Sequence, residues 1–307
     1  MAAKPIFDFH VHLCRTAADE ARVYHRPGWE QDWYWANEAR ISSYLDLWGV
    51  EHIVVLNIMD TRRMRAQRVA AAERAGRTPP SQDELAEGMR DRVHRFNAWL
   101  CDLAARDNRV IPFAMGDPVL FGDSVVDEIK AAVAAGARGV KVHPGICGHF
   151  PSDPRAMAVY EYCEAEGLPV LTDTSGAVRD GEVYGAPASW HEVLPRFPRL
   201  RLVLAHLPGE RWDEMLELSA KFDNCWFDMS GGFVDENHPR SGHRDLPFDE
   251  AARVIRKIGV ERVLFGSDAP AHGREIPDAA AQLLALPLTE DEQDAVLFGN
   301  ARRFFAS

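Results

Sequence analysis

The stretch DSVVDEIKAAVAAGARGVKVHPG, residues 123–145, carries one complete unit of the fold. Val126, Ile129, Ala132 and Val133 recur at helical spacing on one face, and Gly136 stops the helix. A short β-branched run, GVKVH, follows at once. The same rhythm returns in DPRAMAVYEYCEAEG before LPVL and in DEAARVIRKIGV before ERVLFG. Working outward, the short-apolar-run criterion predicts eight strands, at residues 6–12, 51–58, 109–115, 138–143, 168–173, 200–206, 224–230 and 262–268. Eight strands alternating with helices on 307 residues predict an α/β protein made of a single (β/α)8 barrel rather than an open doubly wound sheet.

Composition bounds the function. A hydrophobic fraction of 46% and a charged fraction of 27% exclude disordered, collagen-like and coiled-coil classes. The formal net charge of −12 argues against nucleic acid or an anionic membrane as the main partner. The longest strongly apolar run, HIVVLNIM at residues 52–59, is far short of the about 20 residues that span a bilayer. The N-terminus lacks a secretory pattern, and five cysteines without CxxC spacing point to a reducing cytoplasm.

Two connections are longer than a bare crossover, and both follow the C-terminal ends of strands, where barrel active sites sit. The first, residues 13–40, contains Trp29, Trp33 and Trp35, which either pack over the mouth or offer a flat wall to substrate. The second, residues 60–108, has room for two extra helices. Its arginine-rich part, residues 62–77, reads as a solvated helix face.

Chemistry collects at the strand ends. The first strand finishes in DFHVH, where alternation points His10 and His12 the same way, into the mouth. Other ends supply Lys141 and His143, Asp173, His206 and Asp268. Histidine with carboxylate is a donor set for zinc, manganese or iron(II), and the lack of paired cysteines suits a catalytic site. An isolated histidine is ordinarily a satisfied core or surface residue, so the other eight, outside this context, carry no role.

The ordered motifs DFHVH, GVKVHPG, LVLAHLPG and FGSDAP, with a closing GNARRFF, resemble the amidohydrolase superfamily. Within it, they are similar to the branch that includes aminocarboxymuconate semialdehyde decarboxylase, resorcylate decarboxylases and related hydrolases and lactonases. The resemblance implies a distorted barrel with one divalent metal, most simply Zn2+ with Mn2+ or Fe2+ as alternatives, held by His10, His12 and Asp268. His206 would be a second-metal ligand or an acid/base. Where the branch usually has histidine at the fifth strand, this chain has Asp173 in PVLTDTSG, either a metal ligand through oxygen or a hydrogen-bonding group near substrate. Lys141 matches a lysine that is carboxylated in binuclear members; the reading taken is an unmodified Lys141 that, with His143, orients an anionic substrate.

Three functions follow as expectations. The leading one is hydrolysis of a C–N or C–O bond in a small acidic or aromatic molecule, with Asp268 as proton acceptor and Lys141 or protonated His206 stabilising the oxyanion. The runner-up is nonoxidative decarboxylation or hydration of an aromatic or muconate-like acid. The third is a metal-free binding protein on the same barrel. The resemblance also implies a homodimer.

Overall fold

In the computed structural model, which describes residues 4–24, 34–176, 178–207, 211–231 and 247–306, the opening stretch folds as its pattern predicts. A helix over Val125–Ala134 buries Val125, Ile129 and Ala132, while Val126 and Val133 pack half-buried beside them. Gly136 then takes φ +119°, a conformation that favours glycine, and the chain enters a strand. At Gly139 a Cβ would lie 2.4 Å from the Phe113 ring, so only glycine lets this strand close on its neighbour.

Eight strands result: β1 (Ile6–Val11), β2 (Val50–Leu56), β3 (Val110–Gly116), β4 (Gly139–Val142), β5 (Val170–Thr172), β6 (Leu202–Leu204), β7 (Cys225–Asp228) and β8 (Val263–Leu264). They pair in sequential order, each parallel to the next. Three backbone hydrogen bonds join the last strand region to the first: Phe9 N to Phe265 O at 2.7 Å, Asp268 N to His10 O at 2.9 Å and His12 N to Ala269 O at 2.8 Å. The expected (β/α)8 barrel is therefore the observed one. Except for β3, which runs one residue past its predicted end, its strands stop short at their C-terminal ends, because the backbone turns away at the residues that carry chemistry.

The second long connection holds the two expected helices, Thr61–Arg74 and Gln82–Arg106. The longer one starts at a capping box between Ser81 and Glu84 and buries Leu85, Met89, Val93, Leu100 and Leu103. The first connection carries a helix over Ala17–Tyr24. No helix among the described residues is long and apolar enough to cross a membrane.

Side chains alternate between two cores. Phe7, Phe9, Phe113, Leu171, Val203 and Leu264 fill the barrel interior with Phe304, whereas Ile6, Ile53, Val140, Leu202 and Val263 pack outward under the helices. Strict alternation would put His10 and His12 on the outward side with Ile6. A register irregularity between Asp8 and Val11 prevents this. Phe9 faces inward and Val11 outward, so the two histidines turn into the mouth. Their common direction was expected from alternation; the irregularity is what makes that direction inward.

Candidate active site

The β1 histidines are anchored through the same ring atom. His10 Nδ1 lies 2.9 Å from Asp228 Oδ2, and His12 Nδ1 lies 2.8 Å from the Leu56 carbonyl. Both partners only accept hydrogen bonds, so Nδ1 carries the proton in each ring and Nε2 presents a lone pair. Those lone pairs face Asp268 Oδ1, at 3.6 Å from His10 and 3.2 Å from His12. The three donor atoms lie within 4.8 Å of one another. Three acceptors converging in a buried place repel one another unless a cation sits among them. These residues therefore fit a metal ion.

The opposite side of the mouth has the reverse polarity. His206 Nδ1 lies 2.9 Å from the Ser230 carbonyl and Nε2 lies 3.1 Å from Asp173 Oδ1. With an acceptor at each nitrogen the ring is held as imidazolium. Burial opposes that charge, but the Asp173 carboxylate, helped by Asp268 and Asp228, raises the pKa above its ordinary 6.5. His143 Nδ1 accepts from Ile146 N at 3.2 Å, which leaves the Nε2 proton directed at Asp173 Oδ1, 3.5 Å away. Burial lowers the pKa of His143 to about 4, so the ring is neutral. Asp173 Oδ2 accepts from Ser175 Oγ at 3.0 Å. Both oxygens of Asp173 are thus engaged by N–H or O–H donors, and the residue stands outside the three-residue metal group.

Lys141 lies on the inner side of β4 at 2% exposure. Burial lowers its pKa, while Asp173, Asp228 and Asp268 act in the other direction. It faces these carboxylates from inside the barrel. Burial likewise lowers His10 to about 4, against the pull of Asp228. Burial pushes the Asp268 carboxyl up, but the charge of the His206 imidazolium acts against it and the group is held well below its usual range.

Two site residues have left-handed backbone, His206 at φ +70° and Asp268 at φ +62°. For side chains with a Cβ this is costly and clusters at functional positions. Ala205 is an interior residue, so the next side chain should point outward; the turn at His206 brings its imidazole back to Asp173. Gly266 makes the closing contact, since a Cβ there would come within 2.9 Å of His10 Cβ and 3.1 Å of Ser230 Cβ.

The structure brings together His10, His12, Lys141, His143, Asp173, His206 and Asp268. It places Trp35 elsewhere. That ring is fully buried in the outer core, stacked on Tyr44 with centroids 3.7 Å apart, which corrects its reading as a substrate wall. Trp33 and Trp29 lie outside the described residues. Asp228, Ser230 and Ser267 were not foreseen, and Asp8 was read only as part of DFHVH, without a role. Asp228 anchors His10 and accepts from Ser230 N at 2.8 Å and from Ser230 Oγ. Asp8 Oδ1 accepts from His10 N and Ser267 N, both at 3.0 Å, tying the first strand to the last. Burial raises the Asp8 carboxyl to about 7. Asp228 is the last residue of β7 but lies two short of the predicted strand end at residue 230, so the strand-end criterion pointed past it.

A barrel with this rim defines a class of metal-dependent enzymes acting on small molecules. The family model described as Amidohydrolase matches residues 7–306, and the chain belongs to that family. Among solved structures it is similar to an uncharacterized TIM-barrel protein from Bordetella bronchiseptica, at 20% identity over 98% of each chain with a TM-score of 0.68. It is also similar to 2,6-dihydroxybenzoate decarboxylase from Rhizobium, at 17% identity over 100% of this chain and 99% of that one, TM-score 0.64. A third is a dihydroxybenzoic acid decarboxylase from a Polaromonas species with bound manganese and the inhibitor 2-nitroresorcinol, at 16% identity over 100% and 97%, TM-score 0.60. At these identities the likeness shows the fold. A curated relative, siroheme synthase from Methylococcus capsulatus, is 29% identical over 141 residues, 42% of this chain; the chain spans 27% of that protein's length.

Proposed function

We propose that this protein is a metal-dependent hydrolase of a C–N or C–O bond, in an amide, lactam, lactone or ester of a small acidic or aromatic molecule. The observation that carries the reading is the convergence of two Nε2 lone pairs and the Asp268 carboxylate. A divalent ion held by His10, His12 and Asp268, zinc or manganese before iron(II), would polarise a substrate oxygen and lower the pKa of water.

The chain's own groups supply the proton transfers. Asp268 is held ionised, and its Oδ2 has no hydrogen bond among the described residues, which leaves it free to take a proton from the attacking water. The His206 imidazolium gives a proton to the leaving group or to the developing oxyanion. Asp173 Oδ1 accepts a hydrogen bond from the Nε2 proton until it is transferred, and Lys141 offsets the carboxylates in the closed interior. Five free, buried cysteines accord with a reducing cytoplasm.

One observation favours a second reading. A doubly hydrogen-bonded imidazolium beside a metal centre is also the donor that a nonoxidative decarboxylase needs to protonate ring carbon, and two of the similar structures are decarboxylases of aromatic acids. Elemental analysis of the purified protein, with a screen of lactones, amides and aromatic acids, tests both. Hydrolysis yields a new carboxylate with its alcohol or amine and no carbon dioxide; carbon dioxide from an aromatic acid selects the second reading. A metal content near zero that zinc or manganese cannot restore, with no thermal shift, overturns both and leaves a metal-free binding protein.

A further inference from the structure

Beside the metal group lies a cavity of about 320 Å³ that shares His12 with it. Part of its wall is apolar or flat: Tyr24 lies over His12 with ring centroids 6.5 Å apart and planes 23° apart, and Met59 and Phe96 also line it. In a chain of net charge −12, this cavity is cationic. Arg15, Arg22, Arg92 and Arg95 line it against the single carboxylate of Asp19. Arg22 is paired to that carboxylate at 2.6 Å. Arg92 and Arg95 have no hydrogen bond or ion pair among the described residues. They stand three apart on the helix Gln82–Arg106, so successive turns present both guanidinium groups on one side.

We propose that Arg92 and Arg95 form a clamp for a carboxylate on the substrate remote from the reacting bond, which makes the preferred substrate a flat acid whose opposite end reaches His12 and Asp268. This rests on the metal-centre reading and adds the substrate class to it. Two unpaired guanidinium groups at the edge of a concave, aromatic-walled space match a carboxylate by planar, charge-assisted hydrogen bonds. The positive potential of this cavity opposes the overall charge, so an acidic molecule is drawn to this rim and repelled elsewhere. Lys141, deep in the barrel at 2% exposure, is left to the interior carboxylates rather than to the substrate's far end.

Two probes separate the clamp from the metal centre. Catechol chelates a metal through adjacent oxygens, and 3,4-dihydroxybenzoate is the same molecule with a carboxylate on the far side of the ring. Calorimetric titration of the manganese-loaded protein is expected to show the acid binding about tenfold tighter or more than catechol. In Arg92→Gln/Arg95→Gln that advantage disappears, while manganese content and melting temperature stay as in the parent, since both residues are exposed. Equal affinities in the parent, or an advantage that survives the double substitution, overturns the clamp. Catechol binding that does not depend on manganese instead overturns the metal reading, which the carboxylate comparison leaves untouched.

Discussion

The two ends of the barrel interior are built on the same strands and are about equally buried, yet they hold opposite chemistry. At the N-terminal end Phe9 meets Phe304 edge-on at 5.2 Å and Phe113 at 6.0 Å. One residue further along β1 begins the cluster of His10, Lys141, Asp173, Asp228 and Asp268. Burying an aromatic side chain stabilises by about 1.5–3 kcal/mol, whereas burying an ionisable group costs unless it is paired. The lower end therefore supplies the stability that the upper end consumes, and substitutions at the two ends should fail in different assays.

The largest expected effect is at the top. Asp268→Asn removes the proton acceptor and should lower turnover about a thousandfold, with little change in urea stability and much of the metal retained. Turnover near the parent value would remove Asp268 from the chemistry. At the bottom, Phe304→Ala empties a site bounded by Phe9, Phe305 and Trp226. It should cost about 3–5 kcal/mol in urea unfolding while leaving manganese affinity in the folded protein unchanged. A loss of affinity at unaltered stability would show that the two ends are not separable.

A smaller effect probes how the top is held. Asp228 never faces the metal group directly; it fixes the proton on His10 Nδ1 from 2.9 Å away. Asp228→Asn can donate to that nitrogen instead of accepting from it, which frees the ring to adopt the wrong tautomer. Metal affinity measured by competition with a chelator should weaken about 10- to 100-fold. Unchanged affinity would mean that backbone geometry alone aims the ring.

How much of this was legible follows from range. The eight strands, their order and the two added helices come from local periodicity, which the chain carries in each segment. The site residues His10, His12, Asp268, His206, His143, Lys141 and Asp173 were visible because strand ends of a barrel converge. Their protonation was not visible. Whether an imidazole offers a lone pair or a proton depends on partners such as Asp228, 218 residues away, and the Leu56 carbonyl. The irregularity in β1 and the left-handed turn at His206 were equally hidden, since both are set by how neighbouring strands meet. Trp35 misled because an aromatic near a mouth in sequence can still turn into the core, where stacking on Tyr44 covers it.

The smallest effect belongs to the lower rim, where charge is used for stability alone. Just before β3, Asp107 accepts from Arg109 Nε at 2.9 Å and Nη2 at 2.7 Å and from Ser42 Oγ at 2.8 Å. Arg109 also reaches Asp46 at 2.5 Å. The guanidinium beside it holds the Asp107 carboxyl at about 2, with Ser42 assisting against burial. A pKa depressed by folding stabilises above the unfolded value of about 3.9 and ceases to do so as pH falls through about 2. Asp107→Asn should therefore cost about 1 kcal/mol near neutral pH, a modest figure because the pair lies near the surface and is screened. The difference from the parent should shrink steadily in urea titrations carried from about pH 5 toward about pH 3. Metal affinity should not move at any of these values, because Asp107 precedes β3 while the metal group gathers around the C-terminal ends of β1 and β8. A deficit that persists undiminished in acid would assign the loss to packing at Asp107 rather than to its charge.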